Sequence, residues 1–250
     1  MLVAPYLTEP LTIALSTPLV SRPYIEITRR VMEIFGVGGV EVGARSIRVP
    51  HRRYRAADLV VEPDASSASY VFAAAAICGG EVTVEGLGAD SVQGDAAFVD
   101  VLVQMGCTVE RAAGRTTLRS TGRLEGVDVD MADISDTVPS LAVVAPFASS
   151  PTRISGVGFI RAKESDRIGD VVGELRRCGV VAHEESDGLV VEPSEPTGAT
   201  VSTHHDHRLA MAFAVLGLRV PGMAIEDPGV VAKSWPSFWT SIERLRAPAG

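Results

Sequence analysis

The chain has 250 residues, 46% of them apolar and 22% charged, which suits one large core or two small ones and not a disordered polypeptide. Its net charge of −8 argues against a nucleic-acid or membrane-surface binder, which would carry a basic face, but a few convergent cations could still hold small anions. Cys78, Cys107 and Cys178 are widely spaced and form no C-x-x-C pair, so reduced, mostly buried thiols are expected and not a disulfide framework or zinc site.

The longest apolar runs are too short to span a bilayer, and the N-terminus lacks the basic region of a secretory leader, so the cytoplasm is the expected compartment. In chain order, "MLVAPYLTEP" reads as the last turns of a helix, and "LTIALST" (11–17) as a strand. "YIEITRRVMEIFG" (24–36) is a helix with Tyr24, Ile27, Val31, Ile34 and Phe35 on one face, and "ARSIRVP" is the strand after it.

A repeat begins at Asp64. "DASSASYVFAAAAICGGEVTVEGLG", "DTVPSLAVVAPFASSPTRISGVG" and "DHRLAMAFAVLGLRVPGMAIEDPG" start at Asp64, Asp136 and Asp206, 72 and 70 residues apart. Each reads as an Asp N-cap, a small-residue apolar helix, a turn and a strand. A second helix follows in each: 95–106 with Phe98, Val101, Leu102 and Met105 on one face, 164–179 with Ile168, Val171, Val172, Leu175 and Cys178, and 235–246 with Phe238, Trp239, Ile242 and Leu245. Gly106 and Gly179 suit the left-handed position that ends such helices. Two short strands close the first two copies, as in "CTVER" and "RTTLRS", giving an α/β fold of pseudo-threefold βαβαββ units around a shared core.

Residues 1–63 look like one further copy whose first helix is reduced to a stub. Terminal repeats are often atypical, but truncation is the favoured expectation. The domain reading is accordingly a truncated unit at 1–63 and a near-complete three-unit domain at 64–250.

The repeat aligns the expected start of the second helix at Ser21, Gln93, Lys163 and Lys233. Two of these are lysines where the helix dipole disfavours a cation. Either they are solvated surface residues, or, with Arg167 one turn on and Arg208 on the first turn of the last apolar helix, they form an anion site at helix N-termini. N-capping accounts for Asp64, Asp136 and Asp206 alike, and Asp166 suits the first turn of its helix. "HHDHR" (204–208) lacks the ligand geometry and second cluster of a metal site, so no metal is expected.

"RAKESDRI", "DHRLAMAFAV", "AKSWPSFW", "LVSRPYIEIT" and "EPDASSASYVFAAAAI" resemble, in order and spacing, the motifs of the enolpyruvyl transferases, specifically the 5-enolpyruvylshikimate-3-phosphate synthases. The resemblance covers essentially the whole chain. It implies an inside-out barrel fold and transfer of the enolpyruvyl group of phosphoenolpyruvate to the 5-hydroxyl of shikimate 3-phosphate, without metal or other cofactor. This is a step of the shikimate pathway towards chorismate and the aromatic amino acids. By resemblance, Arg167, Arg208 and Lys233 would hold phosphoenolpyruvate, while Ser21, Tyr24 and Lys163 would contact shikimate 3-phosphate. Asp136 would also contact that substrate and accept the proton of its attacking hydroxyl, and Glu164 would take part in proton transfer at the enol methylene.

Two departures qualify the transfer of roles. Phe159 stands where the family usually has Asn, and the family's N-terminal phosphate-binding motifs have no counterpart here. The expected partners are therefore the two anionic substrates and a missing N-terminal segment or chain, with no nucleic acid and no membrane. The alternative is a truncated, inactive or split form that binds anions without turnover alone.

Overall fold

The computed structural model describes residues 1–246. They form two compact units, one of Met1–Glu62 with Ser91–Gly94, the other of Pro63–Asp90 with the residues from Asp95 onward.

The first unit contains β1 (Leu11–Ala14), α1 (Arg22–Ile34), β2 (Glu41–Val42) and β3 (Ser46–Val49). Its antiparallel sheet runs β1-β3-β2, with Ile13 opposite Ile47 and Leu11 opposite Val49. The core is small: Ala4, Met32, Val37, Val40, Ile47 and Val49, with Ile25 packed against it. This corrects the expected orientation of α1. The helix carries two apolar stripes, and the core takes Ile25 and Met32, two turns apart, whereas Ile34 is 43% exposed. The N-terminal stub is a single 3-10 turn, Ala4–Tyr6.

The second unit holds α2 (Ala65–Cys78), β4 (Gly80–Glu85), α3 (Phe98–Gln104), β5 (Thr108–Ala112), β6 (Arg115–Ser120), β7 (Asp128–Asp130), α4 (Val138–Val144), β8 (Thr152–Ser155), α5 (Gly169–Arg177), β9 (Ala182–Glu185), β10 (Gly188–Val191), β11 (Thr200–Val201), α6 (His207–Arg219), β12 (Ala224–Ile225) and α7 (Phe238–Arg246). Three sheets, β4-β6-β5, β7-β8-β10-β9 and β11-β12, repeat the expected unit. The crossovers through α4 and α6 join parallel pairs, Val129 opposite Ile154 and Val201 opposite Ile225. The α/β fold is thus present, with β7-α4-β8-α5-β9-β10 a complete βαβαββ unit and the copies before and after it shorter among the described residues.

Three helices, α2, α4 and α6, form the centre. Eleven of the fourteen residues of α2 are buried, as a helix apolar on every side requires. Its alanines let the neighbours approach closely, and Ser69 on α2 lies 2.7 Å from Ser140 on α4, oxygen to oxygen. Both serines sit near the starts of their helices, so the two N-termini are level. At the other end, Arg219 closes α6, donates to the carbonyl of Ile77 on α2 and stacks 4.4 Å over the ring of Phe147, just past α4. All three helices therefore run in the same direction, and their positive dipole ends gather at one pole.

The amphipathic helices cover this centre. Ile168, Val171, Val172, Leu175 and Cys178 are fully buried, as are Phe98, Leu102 and Met105. Phe238 packs edge-on against Tyr70, Trp235 and Trp239, while Leu245 is 45% exposed. Gly106 and Gly179 take positive φ after α3 and α5, as expected. Of the thiols, Cys107 and Cys178 are buried but Cys78 is exposed. Among the described residues no helix is long and apolar enough to cross a membrane.

The β9–β10 hairpin also braces the segment that precedes α5. Asp187 accepts from the backbone N–H of Gly158 at 2.7 Å through its side chain and from Val157 at 3.0 Å through its carbonyl. Next to it, a methyl group on Gly188 would lie 1.8 Å from the carbonyl oxygen of Ile154. Gly188→Ala should therefore cost about 1–3 kcal/mol or prevent folding, by overpacking a sheet that cannot move aside. Urea denaturation of the variant against the parent checks this.

Candidate functional site

At the pole where the three helices begin, local sequence decides which aspartates cap and which do not. Asp64 caps α2 by accepting from Ser66 N–H at 3.0 Å, and Asp206 caps α6 by accepting from Arg208 N–H at 2.8 Å. Asp136 caps nothing, contrary to the reading of the repeat alone. It lies inside a 3-10 segment, Ala132–Thr137, and α4 begins only at Val138. An Asp cap accepts from the second or third helical N–H, and from Asp136 the third falls on Pro139, which has none. Its carboxylate is left for side chains.

The expected helix starts at Lys163 and Lys233 also need correction. Lys163 follows a 3-10 segment, Gly158–Ala162, and Lys233 ends another, Pro228–Lys233. Helix α5 starts six residues after Lys163, because Asp166 accepts from Ile168 N–H at 3.1 Å and Gly169 N–H at 3.0 Å. Arg161 clamps that carboxylate from outside at 2.8 Å. Only Arg208 stands on a helical first turn. The cations are gathered by loops leading towards helices, not by helix ends.

These loops bring six of the predicted residues together. Asp136 receives Lys163 Nζ, Arg167 Nη1 at 3.0 Å and Arg208 Nη2 at 2.7 Å. Glu164 receives Arg167 Nη2 at 2.6 Å and Lys233 Nζ at 2.5 Å. Arg167, 1% exposed, is also bound by Asp206, 0% exposed, with Nε to Oδ2 at 2.7 Å and Nη2 to Oδ1 at 3.3 Å. Four cations thus pair with three carboxylates, and the buried Asp95 adds its negative charge near Arg208. Exposure rises outward from Arg167 through Lys163 and Asp136 to Lys233, which is 57% exposed.

Ser21 and Tyr24, also predicted, belong to the first unit. Ser21 precedes α1 in a left-handed conformation (φ 52°) with no capping bond from its side chain, and its carbonyl accepts from Tyr24 N–H at 3.2 Å. Such backbone strain is sparse and concentrates at functional positions. Phe159 is half-buried, and its ring lies 5.9 Å beneath Lys163 Nζ, where it attracts the ammonium by a cation–π contact.

The field of the cations fixes the protonation states. Burial pushes the Asp136 carboxyl up, but the charge of Arg208, the hydrogen bond and charge of Lys163, and Arg167 outweigh it and hold it at about 2. Burial likewise pushes Glu164 up, and Lys233 and Arg167 bring it down to about 2. Beneath Arg208, Tyr70 is fully buried, and burial raises its phenol to about 12, so it stays neutral.

Sequence reasoning overlooked two members of this network. Asp206 was read as a cap alone, though it also binds the guanidinium of Arg167. Ser135, 3.4 Å from Lys163 Nζ, had no signal beyond its place beside Asp136. The histidines of "HHDHR" face carboxylates separately: His204 meets Glu174 and Asp170, and His207 lies 3.6 Å from Asp206. No metal-competent cluster of His, Cys, Asp or Glu occurs among the described residues.

Solved structures with this architecture are enolpyruvyl transferases. EPSP synthase from Acinetobacter baumannii superposes with a TM-score of 0.81 at 27% identity, covering 97% of this chain and 58% of that one. The enolpyruvyl transferase NikO from Streptomyces tendae shares the fold, with a TM-score of 0.74 at 22% identity over 96% of this chain and 56% of its own. The family model of EPSP synthase (3-phosphoshikimate 1-carboxyvinyltransferase) matches residues 1–242, and the chain belongs to that family. A 3-phosphoshikimate 1-carboxyvinyltransferase of Nostoc punctiforme is 48% identical over 98% of the chain, and one of Methanosphaerula palustris is 47% identical over 97%. The chain spans 58% and 57% of the length of these two relatives.

Asp136 and Glu164 both titrate lower in the folded chain than unfolded, so acid is taken up on unfolding. The stability they supply is complete above about 4.5 and is lost as pH falls through about 2. For Asp136 it amounts to roughly 2 kcal/mol, and for Glu164, about a third exposed, to less, because solvent screens it. Denaturant midpoints measured at stepped pH should fall across this window, and fall less steeply in Asp136→Asn.

Proposed function

We propose that the second unit carries one wall of an EPSP synthase active site, taking phosphoenolpyruvate on Arg167, Arg208 and Lys233 and shikimate 3-phosphate on Asp136 and Lys163; Ser21 and Tyr24 of the first unit are proposed as contacts of shikimate 3-phosphate on the family resemblance alone. The observation that carries this reading is the cluster itself: four cations converging on one pole, each held by the protein's own carboxylates. A multiply charged anion is the ligand class able to displace those carboxylates, and bidentate arginine contacts suit phosphate and carboxylate alike. The remainder of the site would come from the portion of the relatives that this chain does not span. In a cytoplasmic enzyme of that kind, the product would feed chorismate and aromatic amino acid synthesis.

In the proposed reaction the 5-hydroxyl oxygen of shikimate 3-phosphate bonds to C2 of phosphoenolpyruvate while its proton passes to Asp136. The enol methylene gains a proton from Glu164, giving a tetrahedral adduct. The C2–O bond to phosphate then breaks, the departing phosphate taking the proton from Asp136, and the new methyl group returns a proton to Glu164 to restore the enol ether. Asp136 is ionised before the reaction, as a proton acceptor must be. Glu164 is ionised as well, which is the wrong state for a donor. Binding resolves this: an anion that takes Lys233 and Arg167 from Glu164 removes the two partners that keep its proton off, and adds a negative neighbour.

Calorimetric titration with phosphoenolpyruvate, shikimate 3-phosphate and inorganic phosphate tests the reading. Phosphoenolpyruvate should bind, Arg208→Gln should weaken it roughly tenfold, and binding near neutral pH should take up protons that Glu164→Gln does not. No heat with any of the three ligands would sink the assignment, and equal proton uptake in the variant would sink the exchange step. Phosphate release from the paired substrates is expected to be weak, since transition-state contacts act together and the chain holds only part of them.

A further inference from the structure

Glu174 is a buried carboxylate on an otherwise apolar helical face: Val171, Val172 and Leu175 beside it are fully buried, and Glu174 itself is 2% exposed. A charge there is costly unless it is fully engaged. Two of its partners lie in the segment before α6, and Arg177 stands on α5 itself. Ser202 N–H donates to one oxygen at 3.2 Å, His204 Nε2 meets the other at 3.0 Å, and Arg177 Nε approaches the first at 3.0 Å. His204 Nδ1 also lies 3.4 Å from Asp170, one helical turn earlier.

The gripped segment is a tight turn. Asp206 N–H donates to Thr203 carbonyl at 2.8 Å, and the two central residues, His204 and His205, have φ of 49° and 59°. Two positive φ values in succession define a turn that glycine, asparagine and aspartate dominate, and histidine is a poor occupant of both places. The turn ends on Asp206, which caps α6 and holds Arg167.

We infer that Glu174 is a positioning residue: from α5 it grips Ser202 and His204, beside and within the strained turn at 203–206, and thereby aims the Asp206 carboxylate at Arg167. The inference rests on the proposed role of Arg167 in binding phosphoenolpyruvate, but its structural content concerns the Asp206–Arg167 contact alone. Neither Glu174 nor His204 touches Arg167; both act through Asp206. A carboxylate serving only to fill space would leave that contact unchanged when replaced by its isosteric amide.

The test follows the Nε–H of Arg167, which donates to Asp206, by nuclear magnetic resonance of the 250-residue chain labelled with 15N-arginine. The signal is assigned by its loss in Arg167→Lys. Glu174→Gln should shift the resonance and speed its exchange with water roughly tenfold, the loss of about one hydrogen bond to a charged group. His205→Gly in the same background should restore the slow exchange, since glycine takes positive φ without strain and the turn then needs no grip. Circular dichroism confirms folding, and should Glu174→Gln not fold, Glu174→Asp withdraws the carboxylate by one methylene and is read in the same way. An unmoved Arg167 signal, or a loss that His205→Gly does not restore, overturns the inference. Phosphoenolpyruvate titrations on the same samples separate the two readings. A parent chain that does not bind refutes the ligand assignment, while the resonance still decides the role of Glu174.

Discussion

Arg167 is 1% exposed, and a guanidinium taken so completely out of water costs several kcal/mol unless its donors are matched. Asp206, Asp136 and Glu164 match them, and each comes from a different stretch of chain: the cap of α6, the 3-10 turn before α4 and the loop before α5. To satisfy one buried cation, two repeat units must therefore be in register at the same pole of the domain. The outer cations follow from this arrangement. Lys163 and Arg208 bind Asp136, Lys233 binds Glu164, and the exposed rim of the site is built on charges that the buried arginine has already fixed.

Such an arrangement neutralises its cations from within. The carboxylates act as resident anions, keeping the guanidinium and ammonium groups oriented while nothing else is bound. Under the proposed function, an arriving anion would find the cations already positioned and would exchange with the carboxylates that hold them. The three parallel central helices add a fixed positive potential from behind, and Phe159 holds Lys163 from below through its ring face. The aromatic ring offers Lys163 an attraction that consumes none of its hydrogen-bond donors.

Much of the fold was readable from the 70-residue spacing of three aspartates, because caps, small-residue helices and amphipathic stripes are local signals. The site was readable in composition but not in connection. Lys163, Arg167, Arg208 and Lys233 could be singled out as cations, yet the partners that neutralise them lie 27 to 72 residues away, apart from Glu164 beside Arg167. Helix starts were misplaced wherever a 3-10 turn came first, since a segment of five or six residues has no periodicity to betray it. Asp136 is the instructive case. Pro139 was visible in the sequence and already ruled out one of the two bonds a cap would make. The orientation of α1 failed for another reason: a helix with two apolar stripes does not say which one meets the sheet.

The β9–β10 hairpin, tied through Asp187 to the segment bearing Lys163, has an evolutionary consequence. Surface hairpins are usually where a lineage can lengthen its chain without harm, because loop closure costs little per added residue. Here, growth at Asp187 would pull on the backbone of Val157 and Gly158 and so on the charged loop beyond. The β5–β6 turn is tethered as well, the Gly114 carbonyl accepting from Gly86 N–H at 2.6 Å and the Ala112 carbonyl from Ala89 N–H at 3.2 Å. Both turns between antiparallel strands are thus tied to backbone outside their own hairpins, but only growth at Asp187 would be transmitted to the loop that bears Lys163.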